Sequence, residues 1–345
     1  MVNVWFSENG ERLGSLGNDY GEGHERVKDQ HRSVIWSVDI NRDTTQAITG
    51  SGDISCKIWD VEYGRVNTTY NDESMGQGVG FGSSVRSVQW SMDGNLFAAI
   101  QDRQMTHFAK VFILDKRCDP AQSVVKSWCI SSEMLMDTKL RWGFMDETIL
   151  TANDKGVLQK WDWKNIEYTN AKNNANVQVG RSLCNENAHK KQIKDLVLTH
   201  DRTMCMTSSK DKKTKIWDCM SDNEFELICE VEHPSNANSA CFNPVKNHIA
   251  VGGGEDAKSV AGSAAHGHFE TYLYNTVSRE TIGTFKGHFS PITSLAWHPN
   301  GHQICTAGEE GNARINNLDK TYMDYKDPEM SVMDSNNFIK FEEVY

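Results

Sequence analysis

The sequence has no membrane-length apolar run, no closely spaced cysteine pair and no excess of basic residues. No stretch approaches the roughly 18 apolar residues that a membrane helix needs. The start, Met1-Val2-Asn3-Val4, lacks the basic-then-apolar pattern of a secretory signal. The nine cysteines are odd in number and contain no CxxC, which argues against a disulfide framework and a zinc ribbon and for reduced thiols in a cytosolic or nuclear protein. Lys and Arg number 36 against 47 Asp and Glu, a net charge of −11, opposite in sign to a general nucleic-acid binder. Apolar residues make up 38% of the 345, which with glycine is enough for a globular core.

What is present is a repeat. Trp-Asp pairs stand at Trp59-Asp60, Trp161-Asp162 and Trp217-Asp218. Degenerate counterparts are Trp5-Phe6, Leu114-Asp115, Tyr274-Asn275 and Asn316-Asn317. The spacing averages about 52 residues, longer than the ~40–45 of a WD repeat, so insertions within blades are expected. Ahead of six marks runs an alternating strand, such as 34–38, 85–88, 193–197 or 292–296, then a turn with Asp, Asn, Gly or Pro, then a second apolar strand. Short strands with turn residues between them predict an all-β fold, and the period predicts a β-propeller of the seven-bladed WD-repeat type.

A finer signal lies inside two repeats. His31, Thr49, Asp53 and Trp59 recur at the same offsets as His189, Thr207, Asp211 and Trp217. Indole N–H, hydroxyl, imidazole and carboxylate can form a buried polar chain in which each group satisfies the next. A hydroxyl–His–Asp set could also be a hydrolase triad, but its recurrence and its tie to Trp favour a structural role. The last repeat keeps His288 and Thr306 with Glu310 and Asn316 in the other places, and the fourth has Lys155 at the Asp position. Those blades are expected to rely on apolar packing.

No catalytic constellation emerges. Gly76-Gln77-Gly78-Val79-Gly80-Phe81-Gly82 fits neither nucleotide-binding glycine pattern and reads as a flexible insertion between strands. His266-Gly267-His268 lacks a third ligand at matching spacing. No cofactor, metal or small-molecule substrate is implied.

Five stretches together resemble the WD-repeat subunit I of eukaryotic translation initiation factor 3: VNVWFSENGERLG from Val2, TGSGDISCKIWD from Thr49, QDRQM from Gln101, VGGGEDA from Val251 and KGHFSPITSLAWHPNG from Lys286. They run in order along nearly the whole chain. The resemblance implies a single seven-bladed propeller over residues 1–345, acting as a cytoplasmic, non-enzymatic scaffold. It would dock the factor's B and G subunits and support messenger RNA recruitment to the small ribosomal subunit. It also implies that Met1 falls just before the third strand of blade one, as in a truncated chain, with residues 1–18 supplying only that blade's outer strands. Residues 19–30 and 72–83 read as insertions, 321–337 as a linker and 338–345 as a tail strand. Other WD-repeat adaptors stay open, either kinase-receptor-associated proteins or ubiquitin-ligase substrate receptors. The latter usually carry Arg three residues after the Trp, where this chain has Glu62, Lys164 and Met220.

Charge marks one repeat. Between His189 and Asp218 lie eight basic residues and four Asp. If His189 meets Asp211, then Lys190, Lys191, Lys210, Lys212 and Lys213 are expected to cluster, either as an ordinary solvated rim or as a dock for an acidic segment or RNA phosphate. In the family, a helix contributed by the factor's B component lies along the outside of blades in the second half of the ring. With Trp217 committed inward, alternation turns Ile216 and Asp218 the other way, where Ile216 either packs between blades or anchors the helix beside the Asp218 carboxylate.

Overall fold

The computed structural model describes residues 2–17, 30–104, 107–130, 139–171, 174–221, 224–255 and 268–324. Within them the strands form six radial sheets and one small sheet, the blades of a propeller. Blade one contributes β1 (Val2–Trp5) and β2 (Arg12–Leu16). Blade two has β3 (Ile35–Ile40), β4 (Gln46–Ser51), β5 (Cys56–Asp60) and β6 (Val66–Tyr70). Blade three has β7 (Val85–Trp90), β8 (Leu96–Gln101), β9 (Lys110–Asp115) and β10 (Val124–Cys129). Blade four is built from β11 (Lys139–Trp142), β12 (Thr148–Ala152), β13 (Leu158–Asp162) and, after a hairpin β14 (Tyr168–Ala171)–β15 (Asn174–Gly180), β16 (Cys184–Glu186). Blade five holds β17 (Ile193–Leu198), β18 (Met204–Ser209), β19 (Lys213–Asp218) and β20 (Glu226–Glu232). Blade six holds β21 (Ala237–Phe242), β22 (His248–Gly253), β23 (Thr271–Asn275) and β24 (Thr281–Phe285). Blade seven has β25 (Ile292–Trp297), β26 (Gln303–Gly308) and β27 (Ala313–Asn317).

Burial explains the strand compositions. Second strands lie between neighbouring blades on both faces, so β8 (LFAAIQ) and β22 (HIAVGG) are almost wholly buried and read as near-continuous apolar or small-residue runs. Outer strands face solvent on part of their surface, and β20 (ELICEVE) carries three glutamates accordingly. Among the described residues, an apolar core lies between each blade and the next along the chain, from blades one and two to blades six and seven. Trp128, Trp142 and Trp161 fill the one between blades three and four, while Leu158, Leu196 and Trp217 fill the one between four and five.

Blade one differs. Val2 and Val4 pack on Leu16, Ala47 and Trp59, which fastens its two strands to blade two. On the inner strand of blade two and just before it, Val34, Trp36, Val38 and Ile40 are between 45% and 57% exposed. The matching residues of blade three, Val88 and Trp90, are buried by blade two.

Two insertions are packed rather than loose. Asn71 caps the short helix α1 (Asp72–Met75) through a capping box with Ser74. The glycine run then folds back so closely that a Cβ on Gly80 would overlap the Asp72 backbone, and one on Gly82 would overlap the His107 ring. Met75 and Phe81 are buried beneath it, so this stretch is a packed lid on a blade core and the expected flexibility is corrected. The β14–β15 hairpin, inserted in blade four, pairs in parallel with β10 and extends blade three to six strands. Lys320–Asp324, which overlaps the start of the linker expected over 321–337, forms a second short helix, α2. Its Tyr322 hydroxyl lies 2.6 Å from His248 Nδ1 and accepts from Asn243 Nδ2 at 3.1 Å, which docks it on blade six. The rest of that linker, the tail strand 338–345, most of the insertion 19–30 and His266 lie outside the described residues.

Candidate functional site

Both repeated polar sets converge. In blade two, Trp59 Nε1 donates to Thr49 Oγ1 at 2.8 Å, Thr49 Oγ1 is 2.7 Å from His31 Nε2, and His31 Nδ1 is 2.9 Å from Asp53 Oδ2. Blade five repeats this, with Trp217 Nε1 to Thr207 Oγ1 at 2.9 Å, Thr207 to His189 Nε2 at 2.8 Å, and His189 Nδ1 to Asp211 Oδ2 at 3.0 Å. The only consistent proton assignment with a neutral imidazole runs one way. The indole donates to the hydroxyl, the hydroxyl to Nε2, and Nδ1–H to the carboxylate. Burial pushes the His189 pKa down against the pull of Asp211, which keeps the ring in that neutral form. Burial alone would raise the Asp53 carboxyl, but bonds from His31, Ser55 and the Arg32 amide more than offset it and hold it well below the usual range. Asp211 is lowered in the same manner by His189 and the amides of Lys190 and Lys213.

This geometry has no hydrolase chemistry. Both threonines have 0% relative exposure, and each hydroxyl oxygen is occupied by an indole N–H, so no substrate carbonyl can reach it. Each chain ties a strand, a loop and a turn of one blade together.

The last blade departs from its expectation. His288 Nε2 lies 2.7 Å from Thr306 Oγ1, and His288 Nδ1 bonds to the Glu310 carboxylate, which also accepts from Ser290 Oγ. The extra methylene of Glu lets it take the place of Asp. Hydrogen bonds from Ser290 and His288 outweigh its desolvation and lower its pKa to about 2. Blade four keeps the inner half of the chain, with Trp161 Nε1 donating to Thr151 Oγ1 at 2.9 Å. Neither blade relies on apolar packing alone.

The Asp of each Trp-Asp pair also has a local task. Asp60 Oδ1 accepts from the Tyr63 amide, Asp162 Oδ1 from Lys164 and Asn165, and Asp218 Oδ1 from Met220, each at 2.8–3.1 Å. Asn275 does the same for Val277 and Ser278. These side chains close the turn into the outer strand, an Asx-turn role. Asp218 is therefore engaged by its own backbone.

Of the two placements expected for Ile216, the structure shows packing between blades. Ile216 is 3% exposed and sits among Met206, Ala240, Ile249 and Tyr274 between blades five and six. Alternation does turn it away from Trp217, but in a propeller both faces of a third strand meet a neighbouring blade. The exposed apolar pair lies instead on β20. A register shift between Ile216 and Trp217 leaves Ile228 without a partner on β19, and Leu227 and Ile228 are 44% and 46% exposed side by side. The consecutive Leu-Ile within an otherwise alternating strand is the signal that the sequence offers for it.

The lysines only partly cluster. Lys190 and Lys191 are exposed on the loop beside Asp211. Lys212 Nζ turns toward blade six, donating to Pro234 O at 3.2 Å, with Glu255 at 3.9 Å. Lys213 reaches along the sheet to Glu230 and Glu232, and Lys215 to Glu230 at 3.4 Å. Cross-strand pairing thus removes Lys213 from the expected patch. Lys210 follows Ser209 into the turn.

Among the described residues no group of His, Cys, Asp or Glu could hold a metal, and all nine cysteines are free thiols. Radial four-stranded blades tied by buried Trp–Thr–His–Asp chains define a WD-type β-propeller. The EIF3I family model matches residues 1–327. The chain is 34% identical over 328 residues to eukaryotic translation initiation factor 3 subunit I of Bombyx mori, covering 94% of this chain and 88% of the relative. It is 33% identical to the subunit I proteins of Drosophila mojavensis and Culex quinquefasciatus, each over 93% of this chain and 89% and 88% of those relatives. The chain belongs to the family of subunit I of eukaryotic translation initiation factor 3, a non-catalytic, cytoplasmic scaffold subunit that works among the other subunits of that complex.

Proposed function

We propose that this propeller docks the factor's B and G subunits through the rim of blade five, and so helps the factor recruit messenger RNA to the small ribosomal subunit. The observation that carries this reading is the Leu227–Ile228 pair, bulged out of β20 between Glu226 and Glu230. Two adjacent aliphatic side chains flanked by carboxylates suit an amphipathic helix with a basic edge, which buries its apolar face on the pair and aims Lys or Arg at Glu226 and Glu232. Ile216 pairs with Cys229, the residue after Ile228 on β20, and Asp218 fixes the turn that leads into β20. Lys190, Lys191, Lys210 and Lys212 contribute an adjoining basic loop edge that favours an acidic segment of the same partners.

Leu227→Asp with Ile228→Asp tests this. Binding of the B component is expected to weaken by about tenfold or more with the melting temperature nearly unchanged, because truncating a central apolar anchor typically costs more than 1 kcal/mol. Binding that survives in a folded double variant would place the interface elsewhere on the ring.

A further inference from the structure

Beside blade one lies a slot with an open strand edge on one wall and an uncovered apolar face on the other. Among the described residues β1 pairs with β2 alone, whereas the third strands of blades two to six are paired on both sides. The second edge of β1 is therefore a template for another strand.

The apolar face belongs to β3. Val38 pairs with Thr49 as Val88 pairs with Ala99 in blade three, and Ile40 with Ala47 as Trp90 with Phe97. Val88 and Trp90, covered by blade two, are 1% and 2% exposed, but Val38 and Ile40 are 54% and 53% exposed. Val2 and Val4 of β1 pack with Ala47 and Trp59, on the second and third strands of blade two, and so cover that blade outward of β3. A strand on the open edge of β1 would lie over Val38 and Ile40, and it needs apolar residues at alternate positions to cover them.

The chain carries such a segment. Phe338-Ile339-Lys340-Phe341-Glu342-Glu343-Val344-Tyr345 lies outside the described residues and beyond residue 327, where the family match ends. Its Ile339 and Phe341 are two apart, as Val38 and Ile40 are. The 13 residues between Asp324 and Phe338 can span about 45 Å. From blade six, where α2 docks, to blade one is two steps, about 20 Å at the ~10 Å between packed sheets. The segment that adjoins blade one in sequence, Asp19–Asp29, is rich in charge and has only Tyr20 and Val27 as large apolar residues.

We propose that residues 338–345 of the same chain occupy the slot as a strand antiparallel to β1, the relation that second and third strands have in the other blades. With Ile339 opposite Val4 and Phe341 opposite Val2, the four side chains form one apolar face over Ala47, Val38 and Ile40. The same register sets Phe338 beside the exposed Trp5 and Lys340 beside Asn3 on the other face. The tail is then a latch that ties the two strands of blade one into the ring.

Hydrogen exchange with mass spectrometry, on the full chain and on a chain ending at Asn337, tests this. The amides of residues 2–5 are expected to exchange about tenfold or more slowly in the full chain, since pairing shields them from solvent. A synthetic peptide of residues 336–345 added to the shortened chain should restore that protection. Ile339→Asp with Phe341→Asp in the full chain should abolish it, and this variant carries the comparison if the shortened chain fails to fold. Light scattering should give a monomer throughout. Equal exchange at residues 2–5 with and without the tail, protection that falls instead on Ala313–Asn317 at the edge of blade seven, or protection found only in a dimer overturns the proposal.

Discussion

Ile216 and Trp217 are neighbours in β19 yet are buried in two different cores, Ile216 between blades five and six and Trp217 between four and five. Position 216 is thus part of the joint between blades. Ile216→Ala should destabilise the protein by ~2–5 kcal/mol, the range for emptying a buried aliphatic site. Urea denaturation of wild type and variant measures it, and a change under ~1 kcal/mol would contradict this placement.

The polar chains predict a graded series. Asp53→Ala and Asp211→Ala leave a buried imidazole N–H without its acceptor and should each cost ~1–3 kcal/mol. Glu310→Ala should fall in the same range, because Glu310 holds His288 as the aspartates hold their histidines. Lys155→Ala, at the equivalent place in blade four, should change stability by less than ~0.5 kcal/mol. Thermal melts of the four variants rank them.

Gly156 sits at φ +81°, and a Cβ there would overlap the His189 carbonyl on the next blade. Its amide hydrogen-bonds within the Asn153 turn, and its carbonyl accepts from the His189 amide at 3.0 Å. Gly156→Ala combines backbone strain with displacement of the loop that aims His189. It should cost ~2 kcal/mol or more. Hydrogen exchange should show the loss of protection spreading into blade five.

Acid should weaken the protein before its carboxylates titrate. Burial pushes the His233 pKa down to about 4, against hydrogen bonds with the Ser235 and Val251 backbone that raise it, and burial lowers His189 too. The unfolded chain takes up these protons first, near pH ~6.5. The stabilisation is therefore complete above that pH and is lost as pH falls from about 6.5 toward 4. For His233 the full loss is about 3 kcal/mol. Urea midpoints at pH 7 and pH 4.5 should differ less in His233→Gln than in wild type.

Much of the architecture is legible in the sequence because a propeller repeats its own chemistry. The Trp-Asp marks are physical, each Trp closing a polar chain or a blade core and each Asp closing a turn. The second strands are legible because burial on both faces forces apolar runs. What escapes the sequence depends on contacts between elements distant along the chain. Alternation reports which side Ile216 takes and not what covers that side. Lys213 reads as part of a basic patch because its partners, Glu230 and Glu232, lie across a turn on β20. The parallel pairing of β15 with β10 joins segments of different blades and leaves no local mark. Residue type alone sets Glu310 apart from the two aspartates, although its carboxylate makes the same bond.

The central claim is that this chain is a scaffold within initiation factor 3, held through the rim of blade five. Affinity purification of the tagged full chain from eukaryotic cells, with quantitative mass spectrometry, tests it most directly. The account predicts recovery of the other factor subunits in near-equal amounts, with the B and G components retained longest as salt is raised. It also predicts their loss from the Leu227→Asp/Ile228→Asp variant. Recovery of ubiquitin-ligase or receptor-kinase components in place of factor subunits would contradict it.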